Sequence, residues 1–270
     1  MTGSRTPSPE LCILAGAPRS GTTWIQRLLQ AHNDICGGEE SHFFEGFSPA
    51  LRMADIQARD SRSIGPLTYV SRDTYDDLFR GVWQGLFADL FASAPAARIH
   101  LEKTPSNCLY LDEITRLFPE AKIIFICRDS RAVTSSVVHA SASWGKNWAP
   151  STWKGAAILW QRHCAAVLRW RQQNPDHPFL MLKYEDAIAD TEGTLQRILD
   201  FLMPGEEHRT GEILEAWRAG QSDQKEPQGF ARVRGTDGWK EDMTLRGKLV
   251  TWRYTRKTMR ELGYDISPFS

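Results

Sequence analysis

Apolar positions along this chain follow two patterns. Short unbroken apolar runs occur at residues 11–15 (LCILA), 121–127 (AKIIFIC) and 178–182, with a weaker one at 98–101. Runs without alternation suit strands buried on both faces of a parallel sheet. Between them the period changes. Residues 22–31 place Trp24, Ile25, Leu28 and Leu29 at helical spacing. Helical patterns also cover 75–94, 109–118, 130–139, 191–201 and 244–262, and 152–173 forms a long amphipathic stretch carrying Trp153, Trp160 and Trp170. Strands alternating with helices predict an α/β protein: a three-layer, mainly parallel sheet with helices on both faces. Residues 48–72 are polar with no sustained period and read as a long loop or lid. The Gly-, Gln- and charge-rich segment 221–243 reads as a second loop. Residues 1–9 read as a disordered leader, and 10–270 as one domain without internal repeats.

Composition narrows the function classes. Lys plus Arg and Asp plus Glu balance at 33 each, so bulk charge gives no reason to expect nucleic acid or an anionic membrane as partner. Cys12, Cys36, Cys108, Cys127 and Cys164 show no CxxC or Cys/His spacing for a metal and read as reduced structural thiols. No apolar run approaches the roughly 20 residues that span a bilayer, and the first ten residues lack the apolar core of a signal peptide. The expectation is a soluble, cytoplasmic protein.

The chemistry begins in the first turn. Gly16-Ala17-Pro18-Arg19-Ser20-Gly21-Thr22-Thr23 joins the first strand to the first helix, where backbone N–H groups and the positive helix end form an anion cradle. Thr22 and Thr23 can cap that helix and add hydroxyl donors. The spacing is that of a nucleoside-triphosphate P-loop, but Thr22 stands where that motif has its phosphate-neutralising lysine. The cation is instead Arg19, in mid-loop, which argues against a kinase or ATPase.

Pro18 to Trp24 (PRSGTTW) resembles the 5′-phosphosulfate loop of sulfotransferases that use 3′-phosphoadenosine 5′-phosphosulfate (PAPS), and in its arginine form it is similar to tyrosylprotein and carbohydrate sulfotransferases. The resemblance implies a P-loop-kinase-like fold, with Arg19, Ser20, Gly21, Thr22, Thr23 and Trp24 on the cofactor. It extends to Arg128 and Ser136, an arginine at a strand end and a serine eight residues later, which in that family hold the 3′-phosphate. Tyr184-Glu185-Asp186 resembles the segment whose tyrosine lies against adenine. Arg232-Val233-Arg234-Gly235 is similar to the loop that folds over the 3′-phosphate, imperfectly, since Val233 stands at a basic position.

The catalytic groups follow by the same likeness. Lys103, in Lys103-Thr104-Pro105, resembles the second-strand lysine, so Arg19 and Lys103 are expected to stabilise charge on the leaving phosphate, with no metal required. The cytosolic branch has its histidine base where this chain has Pro105. Gly38-Glu39-Glu40 is similar to the segment in which the second glutamate of tyrosylprotein sulfotransferases is the base, and Glu40 follows Arg19 at the matching interval. Burial beside Phe43 and Phe44 would raise its proton affinity. His42, Glu39 and Glu45 are its rivals. The expected acceptor is a hydroxyl of a small molecule, lipid or glycan, with specificity residing in residues 48–72 and 144–153. A nucleotide kinase with a degenerate P-loop is the alternative, and a non-catalytic nucleotide-binding or scaffold protein a third reading. No pattern in the chain specifies an oligomeric state.

Overall fold

A computed structural model describes residues 9–60, 62–221 and 236–269. The chain runs β1 (Glu10–Ala15), α1 (Thr22–Leu29), β2 (Ile35–Cys36), α2 (Phe43–Arg59), α3 (Arg72–Leu86), α4 (Ala88–Ser93), β3 (Ile99–Glu102), α5 (Leu111–Leu117), β4 (Lys122–Cys127), α6 (Ser130–Ser141), α7 (Trp153–Gln173), β5 (Phe179–Lys183), α8 (Tyr184–Ala189), α9 (Thr191–Leu202), α10 (Thr210–Gln221), α11 (Trp239–Asp242) and α12 (Leu245–Glu261). Short 3₁₀ turns at Pro66–Thr68 and Pro105–Leu109 complete the description. The strands form one sheet in the order β2-β3-β1-β4-β5, every pairing parallel.

The sheet is buried on both sides because its central strands β1 and β4 carry apolar side chains on both faces. Leu11, Ile13, Ala15, Ile123, Phe125 and Cys127 face one core with Phe44, Trp83 and Trp160. Their neighbours Cys12, Leu14, Ile124 and Ile126 face the other, against Ile25, Leu28, Leu195 and Leu199 of α1 and α9. This is the side-chain alternation of a strand with a helix layer on each side. All five cysteines are buried and free.

Three sequence expectations need correction. Residues 48–72 are not a continuous lid: α2 runs through Arg59 and α3 begins at Arg72. Phe44, Ser48, Leu51 and Ala54 form the buried stripe of α2, two of them too small or polar to register as an apolar period, and Pro49 inside the helix reads as a breaker. Ion pairs then bind this layer together: Arg116 bridges Asp55 of α2 (2.8 Å) and Asp76 of α3 (3.2 Å), and Arg52 pairs with Glu113. Second, 221–243 is not all loop, since Trp239–Asp242 is helical around the buried Trp239. The helix expected over 75–94 breaks at Phe87 into α3 and α4. Helices α8 and α10 and the two-residue β2 went unread.

His100 sits in β3 with its ring 4.5 Å from Phe87, 5.0 Å from Phe91 and 5.6 Å from Trp83, centroid to centroid. Burial holds its pKa down to about 4. A neutral imidazole in the fold that charges readily once unfolded makes the unfolded state bind the extra proton between pH 6.5 and about 4. Stability is therefore whole above that window and falls by about 3 kcal/mol on descending through it. His100→Leu should flatten that part of the pH dependence of unfolding in denaturant titrations.

Candidate active site

Because all five strands are parallel, their carboxyl ends share one edge, where open α/β sheets bind ligands. Each delivers a residue singled out in the sequence. After β2 comes Glu40, after β3 Lys103, after β1 Arg19, after β4 Arg128, and after β5 Tyr184. Read across the sheet, the row is Glu40, Lys103, Arg19, Arg128, Tyr184.

The loop after β1 is held in left-handed backbone at two places, Arg19 (φ 71°) and Gly21 (φ 96°). Non-glycine residues in this region are strained and cluster at functional sites. Arg19 Nε donates to Ser136 Oγ at 3.0 Å, and its guanidinium lies 5.1 Å from the ring centre of Trp144. Its backbone carbonyl accepts from Arg128 Nη1 at 3.2 Å. The loop and the Arg128–Ser136 strip are thus in direct contact. Ser20 is fully buried, and its hydroxyl has no hydrogen-bond partner among the described residues; the same holds for the buried Nε of Arg128. Asp129 is taken up by Arg131 at 2.5 Å.

Thr22 and Thr23 open α1 as its first two residues, at the positive end of the helix. They do not cap it: Gly21 is the N-cap and no side chain bonds there, because the left-handed turn at Gly21 carries the chain directly into the helix. A Cβ at Gly21 would stand 2.4 Å from the Tyr184 ring. Gly21→Ala is therefore expected to displace Tyr184 and add about 1–2 kcal/mol of backbone strain. Its thermal midpoint should fall by about 2–4 °C or more, measured by calorimetry.

Tyr184 is covered on one face by the Arg128 guanidinium, 4.2 Å from its ring centre. Trp24 meets Tyr184 edge-on at 6.3 Å and Trp217 edge-on at 6.1 Å. Trp217, on α10, is a member of this aromatic group that the sequence reading missed; one tryptophan in an amphipathic helix gives no local signal. Glu185 was also missed as a support. It accepts from the Asp129 backbone N–H at 3.0 Å and from Tyr264 Oη at 2.8 Å, fixing the turn that carries Arg128.

At the other end of the row Lys103 is buried, 3% exposed, and its Nζ donates to Glu40 Oε1 at 2.6 Å. The expected apolar burial of Glu40 is absent. Its side chain is 35% exposed at the rim, while Phe43 and Phe44 turn inward onto Trp83. The helix that starts at Phe43 needs those rings for the core, so Glu40 is set by a cation instead of an apolar wall. His42 stands beside it, Nε2 at 3.6 Å from Glu40 and Nδ1 at 2.8 Å from Glu45. That hydrogen bond from His42 is the main cause holding Glu45 below its usual pKa. Arg232, Arg234 and Gly235 lie outside the described residues. Among the described residues no three His, Cys, Asp or Glu side chains converge as metal ligands. No described helix is long and apolar enough to cross a membrane.

A parallel sheet with a strand–loop–helix anion cradle and cations along its carboxyl edge defines a P-loop-like protein. Residues 12–206 match the model of the sulfotransferase family, and the chain belongs to that family. Among curated relatives it is 24% identical over 193 residues to protein-tyrosine sulfotransferase 1 of Danio rerio, covering 71% of this chain and 52% of that one. It is 28% identical over 149 residues to nodulation protein NoeE of Sinorhizobium fredii, covering 54% and 34%. The chain spans about a third to two thirds of the length of the curated relatives it matches. Among solved structures, the sulfotransferase domain from the curacin biosynthetic pathway superposes with a TM-score of 0.60 at 15% identity, covering 96% of this chain and 99% of that one. A mouse sulfotransferase, SULT7A1, complexed with PAP, gives 0.57 at 15% identity, covering 94% and 86%. These likenesses establish the fold.

Proposed function

We propose that this chain transfers a sulfuryl group from PAPS to the hydroxyl of a small-molecule, lipid or glycan acceptor in the cytoplasm, releasing adenosine 3′,5′-bisphosphate. The observation that carries the reading is the Arg19–Ser136 hydrogen bond, which brings the loop cradle and the Arg128–Ser136 strip onto the scale of one nucleotide. The residues present suit such a ligand. Ser20 Oγ and Arg128 Nε are buried without partners among the described residues, and two anion-seeking clusters lie either side of Arg19.

In this reading the loop amides, Ser20, Thr22 and Thr23 hold the 5′-phosphosulfate, Arg128 and Ser136 the 3′-phosphate, and Trp24, Tyr184 and Trp217 wall the adenine. Arg232, Arg234 and Gly235 would add to the 3′-phosphate site. PAPS supplies the sulfuryl group when bound. Lys103 and Arg19 offset the negative charge that builds on the leaving phosphate, and Glu40 removes the acceptor's hydroxyl proton. Sulfuryl transfer is an in-line displacement whose main needs are positioning and charge stabilisation. The relatives named for protein tyrosine share the use of a hydroxyl acceptor; the acceptor proposed here is smaller.

The kinase reading has one natural discriminator. Calorimetric titration should show tight binding of adenosine 3′,5′-bisphosphate and much weaker binding of Mg²⁺-ATP, followed by transfer of label from PAPS in an acceptor screen. Tight ATP binding with turnover, and none with PAPS, would replace the sulfotransferase reading by a kinase.

A further inference from the structure

The groups on the acceptor side sit at the weak end of the sheet. Strand β2 is two residues long and lies at the edge, so the sheet does little to hold the segment that carries Glu40. A buried carboxylate does it instead. Glu102, the last residue of β3, is 2% exposed and pairs with no cation among the described residues. Its Oε1 accepts from Ser41 Oγ at 2.7 Å and from Thr104 Oγ1 at 2.6 Å, and its Oε2 accepts from Asn107 Nδ2.

Both hydroxyls pass the contact on. Thr104 Oγ1 accepts the His42 backbone N–H at 3.4 Å, and Ser41 Oγ accepts the Phe43 N–H at 3.2 Å. Since each hydroxyl gives its hydrogen to Glu102, its lone pairs are turned toward the 42–43 backbone. Ser41 adjoins Glu40, and Glu102 adjoins Lys103. One side chain therefore fixes the two segments whose charged ends meet at 2.6 Å.

We propose that Glu102 is a positioning residue that sets the Glu40–Lys103 pair in register by acting as a hydrogen-bond acceptor for both segments. This rests on the assignment of Glu40 and Lys103 made above. Burial raises the proton affinity of Glu102 and the bonds it accepts oppose that, but the role needs only acceptor oxygens. It does not need a negative charge.

That distinction gives the test. In Glu102→Gln the amide oxygen can take the Oε1 position and keep both hydroxyls. The new NH₂ then faces Asn107, whose Oδ1 is buried without a partner and can accept once the Asn107 amide turns over. Glu102→Met fills the space and accepts nothing. Glu102→Gln is expected to keep kcat within about threefold, and Glu102→Met to lower it about 10²-fold, the scale of a misplacement near 1 Å. The affinity for adenosine 3′,5′-bisphosphate should be unchanged in both. Hydrogen exchange at the His42 and Phe43 amides should speed up in Glu102→Met only.

A Met variant with wild-type kcat and unchanged exchange overturns the proposal, as does a Gln variant as slow as Met, which would mean that the charge matters. If Glu102→Met does not fold, Thr104→Val and Ser41→Ala should each show part of the same kcat loss and faster exchange at one of the two amides; wild-type behaviour in both overturns it equally. The exchange measurement needs no turnover. Should Glu40→Gln remain active, the base assignment fails, while the exchange arm still decides whether Glu102 holds the segment.

Discussion

Lys103→Ala is expected to lower kcat by about 10²-fold or more, the usual effect of removing a preorganised donor aimed at developing charge. Lys103 is buried at the end of β3, so its ammonium is poorly screened and strongly felt by any anion at the strand edge. The substitution also removes the 2.6 Å partner of Glu40, so the proposed stabilising cation and the placement of the proposed base are lost together. Binding of adenosine 3′,5′-bisphosphate should change little, because the proposed grip on that product is by the loop and by Arg128 and Ser136. Single-turnover transfer from labelled PAPS, beside calorimetric product binding, separates the two effects. Arg19→Ala should cost a similar factor in rate and, unlike Lys103→Ala, should also weaken product binding, since Arg19 joins the loop to Ser136. If both variants turn over at the wild-type rate, charge stabilisation at this edge is not how the enzyme works.

Glu40→Gln should abolish transfer while sparing product binding. Glutamine keeps the size of the side chain and an oxygen for Lys103 Nζ, but it cannot take a proton from an acceptor hydroxyl. General-base contributions run to about 10²–10⁴-fold, and the loss should appear in kcat with the affinity for adenosine 3′,5′-bisphosphate intact. His42 is the internal control. It lies 3.6 Å from Glu40 and is bonded to Glu45. Should His42→Ala abolish transfer and Glu40→Gln leave it, the base is the imidazole.

Much of the fold was legible because its signals are local. Apolar runs bounded by glycine or charge gave four of the strands, and helical periodicity gave α1, α6, α7, α9 and α12 within a residue or two at most ends. What was lost depended on contacts distant in sequence. The strand β2 is only two residues long and exists by pairing with β3. Helix α2 is stabilised by packing around Trp83 and by ion pairs to α3 and α5, none of which leaves a period in its own sequence. The candidate site residues were legible where they sit in a strand–turn–helix motif with fixed spacing. Their supports were not. Glu102, Glu185 and Trp217 act through partners 61, 56 and 193 positions away, respectively Ser41, Asp129 and Trp24, and no short window contains both members.

The order in which the five strands present their ends carries a consequence for how such an enzyme can diversify. In the proposed reading, donor handling falls to the central and β5 side of the edge, and recipient handling to β2 and the helices that follow it. Residues 37–86 could therefore be exchanged as a cassette for those of another family member, retargeting the product without rebuilding the nucleotide grip, provided that the graft keeps a hydroxyl where Ser41 meets Glu102.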